Sequence, residues 1–265
     1  MLIIGERINT STKKIASAVE RRDVDFIQKE AITQVRAGAK MIDVNAGTFI
    51  SEEPESLRWL VQTIQHAVDL PLCLDSSNPM AIATALAARK GNAMINSITA
   101  QKDRFLEMLP VIKEYKCSVV ALCLSDTGIP TTVEERVEVA SHLVRKLEDE
   151  GIPRNTIYVD PVVTPLSVNA HSAKDALDTI EIVMKLFEGI HTICGVSNVS
   201  FGLPFRQQLN QIFLMMAMTK GLDAAILDPR DIRMMMNIIT ADAISGRDEF
   251  CLNYISAYRE GKLIL

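Results

Sequence analysis

Thr192-Ile193-Cys194-Gly195-Val196-Ser197-Asn198-Val199-Ser200-Phe201-Gly202-Leu203-Pro204 reads as a short buried strand, a polar loop with glycine, and the approach to a helix beginning near Phe205. A strand that is apolar throughout and gives way directly to a helix is one βα unit. At the centre of its loop stands Asn198, which donates and accepts hydrogen bonds but cannot titrate.

The same unit recurs on both sides of this stretch. Toward the C-terminus, residues 224–227 are an apolar run ending at Asp228-Pro229, and two helices follow. Toward the N-terminus, residues 157–159 end at Asp160-Pro161, residues 118–124 at Ser125, residues 93–95 at Asn96-Ser97 and residues 70–74 at Asp75-Ser76. Residues 41–44 carry Asp43 and end at Asn45, and residues 2–5 run into Glu6-Arg7-Ile8-Asn9. Between these runs the spacing predicts helices over 54–68, 79–90, 105–114, 173–187 and 209–219. Thr132 with Glu135 forms a capping-box pattern that opens a further helix to about residue 150. Ser11 or Thr12 can cap a helical pattern that reaches Gly38 and breaks at Arg21-Arg22-Asp23.

Strands that are apolar throughout, rather than alternating, belong to a parallel sheet covered on both faces. Eight such units in 265 residues fit an α/β fold of the (β/α)8 TIM barrel type, with a doubly wound open sheet as the alternative. No composition shift or linker divides the chain, so residues 1–265 are expected to form one domain.

A hydrophobic fraction of 48% and a charged fraction of 23% are those of a folded water-soluble chain. The formal charge of −5 argues against nucleic acid or an anionic membrane as the main partner. No apolar run approaches the ~20 residues of a transmembrane helix, and the early charges at Glu6-Arg7 do not suit a signal peptide. A cytoplasmic location is expected. The five cysteines are scattered without C-x-x-C or other metal-ligand spacing, and four have apolar neighbours. They read as small buried hydrophobes in a reducing compartment.

In a barrel the C-terminal strand ends converge on one mouth. Here they bring Glu6, Asp43, Asn45, Asp75, Asn96, Ser125, Asp160, Asn198 and Asp228, with no lysine and no histidine. A Schiff-base enzyme would need a lysine there, and a zinc hydrolase paired histidines. One Asp or Asn after a strand is often only a cap or turn former. Asp43, Asp75, Asp160 and Asn198 together ask for a shared ligand. Clustered carboxylates repel one another unless they meet a proton, a cation or a donor-rich ligand. Magnesium is one candidate. The other is a heterocycle with adjacent N–H donors, such as the amino-pyrimidinone edge of a pterin.

With these residues in hand, the chain resembles the methyltetrahydrofolate:corrinoid methyltransferases. Their folate barrel is shared with cobalamin-dependent methionine synthase and, more distantly, dihydropteroate synthase. The matching pieces run in order along nearly the whole chain: Ile3-Ile4-Gly5-Glu6-Arg7-Ile8-Asn9, Asp43-Val44-Asn45, Leu72-Cys73-Leu74-Asp75-Ser76, Met94-Ile95-Asn96-Ser97, Tyr158-Val159-Asp160-Pro161 and Gly195-Val196-Ser197-Asn198-Val199-Ser200. The resemblance implies a pterin-binding barrel that is usually a homodimer, and methyl transfer between N5 of 5-methyltetrahydrofolate and the cobalt of a corrinoid. By the same resemblance Asp75, Asn96 and Asp160 hold the pterin, Asn198 contacts N5, Gly195 and Ser197 line that wall, and Arg206 lies near the folate. Glu6, Asp43 and Asn45 complete the set of expected folate-site residues, and Asp75 and Asp160 are expected to support Asn198 in catalysis.

Corrinoid proteins and methionine synthase carry D-x-H-x-x-G for the cobalamin. Around His191 this chain has Gly189 where the aspartate belongs, and Gly195 comes one position late. The corrinoid is therefore expected on a separate protein. Rival readings are a dihydropteroate-synthase-like condensation, a magnesium-dependent lyase and a folate-binding or corrinoid-docking subunit without turnover.

Overall fold

The computed structural model describes residues 1–263. Every apolar run pairs in parallel with the next one in sequence. The strands are β1 (Leu2–Asn9), β2 (Met41–Asn45), β3 (Leu72–Asp75), β4 (Ala93–Thr99), β5 (Ser118–Leu122), β6 (Ile157–Asp160), β7 (His191–Gly195) and β8 (Ala224–Leu227). They form a closed barrel in sequence order, with β8 paired to β1, so the open-sheet alternative is excluded.

The helices are α1 (Lys13–Glu20), α2 (Val24–Arg36), α3 (Glu53–Gln65), α4 (Pro79–Ala88), α5 (Lys102–Tyr115), α6 (Val133–Asp149), α7 (Ser172–Leu186), α8 (Arg206–Thr219), α9 (Ile232–Ile244) and α10 (Leu252–Arg259). The Arg21-Arg22-Asp23 break is present: Arg22 has φ +53°, and the Asp23 carboxylate accepts from Phe26 N to open α2. Both reciprocal bonds of the Thr132–Glu135 capping box are formed. Thr12 occupies the cap position of α1, but its side chain makes no capping bond. Four cysteines are buried, and Cys251 is exposed. Among the described residues no helix is long and apolar enough to cross a membrane.

Two strands are longer than their apolar runs suggest. β1 continues through Glu6 to Asn9, and β4 through Asn96 to Thr99, each with a register irregularity against a neighbour. Polar residues can stay in these strands because the barrel pairs their backbones while their side chains turn into the mouth. β3 is shorter than expected and begins after Pro71, which has no N–H to give the ladder.

Side chains on one face of a strand recur at every second residue. One layer inside the barrel is a dry plug of Ile4, Met41, Cys73, Met94, Val120, Ile193 and Ala224, with Tyr158 packed against it, one residue from each strand. A second apolar shell fills the space between strands and helices. The plug closes the barrel below and sets the height at which the next inward residues sit.

Beneath the plug, His191 opens β7 with its Nδ1 2.6 Å from Asp223 Oδ2, and its ring stacks on Tyr158 at 4.6 Å between centroids. The Asp223 hydrogen bond raises the imidazole pKa above its ordinary 6.5, against the opposing effect of burial. A raised folded-state pKa means that this contribution is complete below the unfolded-state value and is lost as pH rises through the folded one. The Tm difference between wild type and His191→Gln should be widest near about pH 6 and narrow toward about pH 9. With side chains 33% and 30% exposed, the pair contributes at most about 1 kcal/mol and weakens with salt. A pH-independent difference in calorimetry would refute a charged pair.

Candidate active site

Stepping two residues along each strand from the plug gives the next inward layer: Glu6, Asp43, Asp75, Asn96, Leu122, Asp160, Gly195 and Ile226. All eight line one cavity of about 1070 Å³ at the C-terminal mouth. Its floor is thus four carboxylates, one amide, two aliphatic side chains and a glycine. The pleat brings them together; no two are adjacent in sequence.

Two of the expected residues come from the loop after β7. Val196–Ser200 form a 3-10 turn that swings Ser197 and Asn198 over the floor. Ser197 Oγ donates to Glu6 Oε2 at 2.9 Å and ties this turn to β1. Asn198 is exposed to the cavity, and among the described residues its side-chain amide has no hydrogen-bonding partner. A Cβ on residue 195 would come within 3.0 Å of Asn198 Nδ2, so glycine is what lets the amide lie back over the strand end. Arg206 is at the same wall, donating from Nη2 to Ser197 O at 2.8 Å and from Nε to Ser200 Oγ at 3.1 Å.

Asn45 does not line the cavity. Its Nδ2 donates to Asp75 Oδ2 at 2.9 Å and its Oδ1 accepts from Gly47 N, so it orients a floor residue instead. Ser125 lies outside as well. β5 ends at Leu122, and Ser125 sits in a tight turn facing Thr127. Asp228 reaches the mouth but is held by Arg230, Nη2 to Oδ2 at 3.0 Å, with Arg7 Nε at 3.7 Å.

Burial governs the floor's electrostatics. The Asp160 carboxyl is pushed up to about 7 by desolvation, although it accepts from Val162 N at 2.8 Å and has Arg136 nearby. Asp75 rises to about 6 for the same reason, with the Asn45 bond opposing, Glu53 adding and Arg104 opposing. Asp43, 3% exposed, is raised well above the usual carboxylate range by burial and by the neighbouring Asp75 charge. Burial also raises Glu6, against the Ser197 bond. Nearby arginines only partly offset this burial, and among the described residues none of the four acids forms an ion pair. A ligand offering N–H donors would stabilise their ionised forms. Among the described residues no three His, Cys, Asp or Glu side chains are grouped to hold a metal ion. The cavity lining contains no lysine, histidine or cysteine.

Sequence reasoning did not single out Leu122 and Ile226, which give the floor apolar flanks for a flat ring. The signal was present: each lies two positions beyond a plug residue. It also missed Arg104 and Arg136, which reach the loops beyond the floor residues from the helices. Arg136, buried in α6, donates to Pro161 O and Val162 O at 2.7 and 2.6 Å and fixes the chain after Asp160. Their positions in helices hide them from any reading of strand ends.

A barrel with such a mouth, matched over residues 5–228 by the family model for pterin binding enzymes, is a member of that family. The chain belongs to the pterin binding enzymes, and within them to the folate–corrinoid methyltransferases. It is 37% identical over 265 residues to the methylcorrinoid:tetrahydrofolate methyltransferase of Eubacterium limosum, covering 99% of this chain and 98% of that one. The methionine synthase of Mycobacterium leprae is 29% identical over 86% of this chain, which corresponds to only 20% of that longer protein. Among solved structures, dihydropteroate synthase from Xanthomonas albilineans in complex with 7,8-dihydropteroate superposes with a TM-score of 0.73 at 17% identity, covering 92% and 93% of the two chains, a likeness of fold.

Proposed function

We propose that this protein moves a methyl group between N5 of a tetrahydrofolate and the cobalt of a corrinoid carried by a separate protein. The observation that carries this reading is the pairing of a carboxylate-rich floor with a free, untitratable amide, Asn198, held above it by Gly195. The direction named for the E. limosum relative, from methylcorrinoid to tetrahydrofolate, is the one we assign here.

Asp75, Asn96 and Asp160 receive the pterin edge, with the two carboxylates accepting from its adjacent N–H groups. Leu122 and Ile226 flank the ring, and Asn198 faces N5. The corrinoid supplies the methyl carrier: cobalt departs with the electron pair of its carbon bond as N5 forms the new one, and the N5 proton leaves to solvent. The reverse reaction needs that proton returned, since an amine leaves well only when protonated. In this reading the raised carboxyls of the floor are engaged by the pterin edge and by Ser197, so solvent delivers or accepts the N5 proton. Asn198 stabilises the positive nitrogen by turning its carbonyl toward the N–H. This is a neutral dipole aimed where charge develops.

The absence of a D-x-H-x-x-G run around His191 supports a corrinoid brought by a partner. The reading has one barrel domain in a homodimer. Exposed apolar residues on α8 (Ile212, Met216) and α10 (Leu252, Tyr258) are consistent with burial against a second copy. The test is a visible-spectrum assay. Purified protein with methylcobalamin and tetrahydrofolate should produce cobalt(I), and 5-methyltetrahydrofolate with cobalt(I) should produce methylcobalamin. Tetrahydrofolate binding without either conversion, given the native corrinoid protein as well, would reduce the protein to a binding subunit.

A further inference from the structure

Two of the floor residues, Asp75 and Asn96, are neighbours across β3 and β4. Both strands end within a few residues of the ligand, so something must hold those ends. Ser76 N donates to Asn96 O at 3.0 Å, a first latch. The second comes from outside the barrel. Arg104, in the first turn of α5, sends Nη2 to Ser76 O at 2.9 Å and to Ser97 O at 3.2 Å. These are the carbonyls of the residues immediately after Asp75 and Asn96.

We propose that Arg104 is a positioning residue for pterin binding: one guanidinium bridges the carbonyls that follow Asp75 and Asn96 and so fixes the angle between the two side chains that meet the ring. The proposal rests on the pterin reading of the cavity. A bridge from a single nitrogen to two strands constrains their relative position in a way that no bond within one strand does. A guanidinium suits this place because its planar donors hold fixed directions. The same group also sets the charge beside Asp75. Facing that carboxylate are Asp43 and Asn45 from β2, Glu53 from α3 and Arg104 from α5. Ser76 Oγ donates to Glu53 Oε1 at 2.6 Å, so the Asp75–Ser76 segment is held on both sides by oppositely charged helix residues. Arg104 is the one cation in this group, and it favours the ionised form of Asp75 against its burial.

The test is tetrahydrofolate binding by titration calorimetry across pH, for wild type, Arg104→Met and Arg104→Lys. Arg104→Met is expected to raise Kd about 10- to 100-fold with stoichiometry retained. The acid limb of its binding profile should move to higher pH, because Asp75 loses its neighbouring cation. Arg104→Lys keeps the charge and so keeps the pH midpoint, but loses the fixed geometry and should raise Kd by about 3- to 10-fold. It also serves as the informative variant if Arg104→Met does not fold. A lowered stoichiometry with wild-type Kd in the remaining sites would mean a folding role only and would overturn the proposal. So would wild-type affinity and pH dependence in both variants. No binding by wild type itself would overturn the folate reading and this proposal together.

Discussion

Asn198→Ala is expected to slow methyl transfer by about 10²–10³-fold, the loss typical of one oriented dipole. Tetrahydrofolate Kd should rise by less than about tenfold, because the pterin is held mainly by Asp75, Asn96 and Asp160. The fold should be unaffected. Among the described residues Asn198 gives no side-chain hydrogen bond to the protein, and it is exposed to the cavity. Such a split, with rate lost and affinity kept, marks an interaction stronger in the transition state than in the ground state. Asn198→Asp separates two explanations. In the 5-methyltetrahydrofolate-to-cobalt direction a fixed carboxylate would hold protonated N5 before reaction as well as during it, so affinity for 5-methyltetrahydrofolate should gain and the rate in that direction should not. Gly195→Ala probes the same amide from below, since the added methyl would press on Asn198 Nδ2 and displace it. It should reproduce part of the rate loss. Single-turnover rates with saturating folate decide the matter, and a rate within about threefold of wild type for Asn198→Ala would remove this residue from the mechanism.

Asp160→Asn should weaken tetrahydrofolate binding about 10- to 100-fold and at the same time make the ligand-free protein more stable. The sign follows from the raised pKa. In the fold this carboxyl keeps its proton up to about pH 7, whereas the ordinary aspartate value of 3.8 applies to the unfolded chain. Between those values the folded state binds more protons, so stability falls as pH rises and stays lowered above about pH 7. The penalty at pH 8 is on the order of 2–4 kcal/mol. A neutral amide escapes it and can still accept from Val162 N. The Tm of Asp160→Asn should therefore exceed that of wild type by about 3–8 °C near pH 8, with the gap closing toward about pH 4. Saturating tetrahydrofolate should shrink or reverse the order, since only wild type gains full ligand stabilisation. Calorimetry with and without ligand measures all of this. A lower Tm for the ligand-free variant at pH 8 would mean that Asp160 is not strained by burial.

Both residues stand out in the sequence, Asp160 at a strand end and Asn198 in the polar stretch after an apolar run. The barrel was legible because its physics is local and repeated. A strand buried on both faces must be apolar throughout, a helix must follow to cover it, and eight repeats close on themselves. The polar residues at the ends of those runs stood out against that background. Extents were less legible. The β1 strand runs on to Asn9 and β4 to Thr99, because backbone pairing with neighbours, not hydrophobicity, decides where a strand stops.

By itself, then, the sequence determined the order and kind of elements, the set of carboxylates and amides brought toward one mouth, and an untitratable amide at position 198. Tertiary structure decided which of those residues share the cavity. It set Asn45 behind Asp75, left Ser125 outside and paired Asp228 with arginines. It also chose Leu122 and Ile226 as the apolar flanks and raised the acids by burial. The physical reason is that inward facing is a matter of pleat phase relative to the plug, fixed only when eight strands pair in register. Arg104 and Arg136 belong wholly to this second category, since a side chain bridging from a helix to strand ends has no spacing rule in the chain.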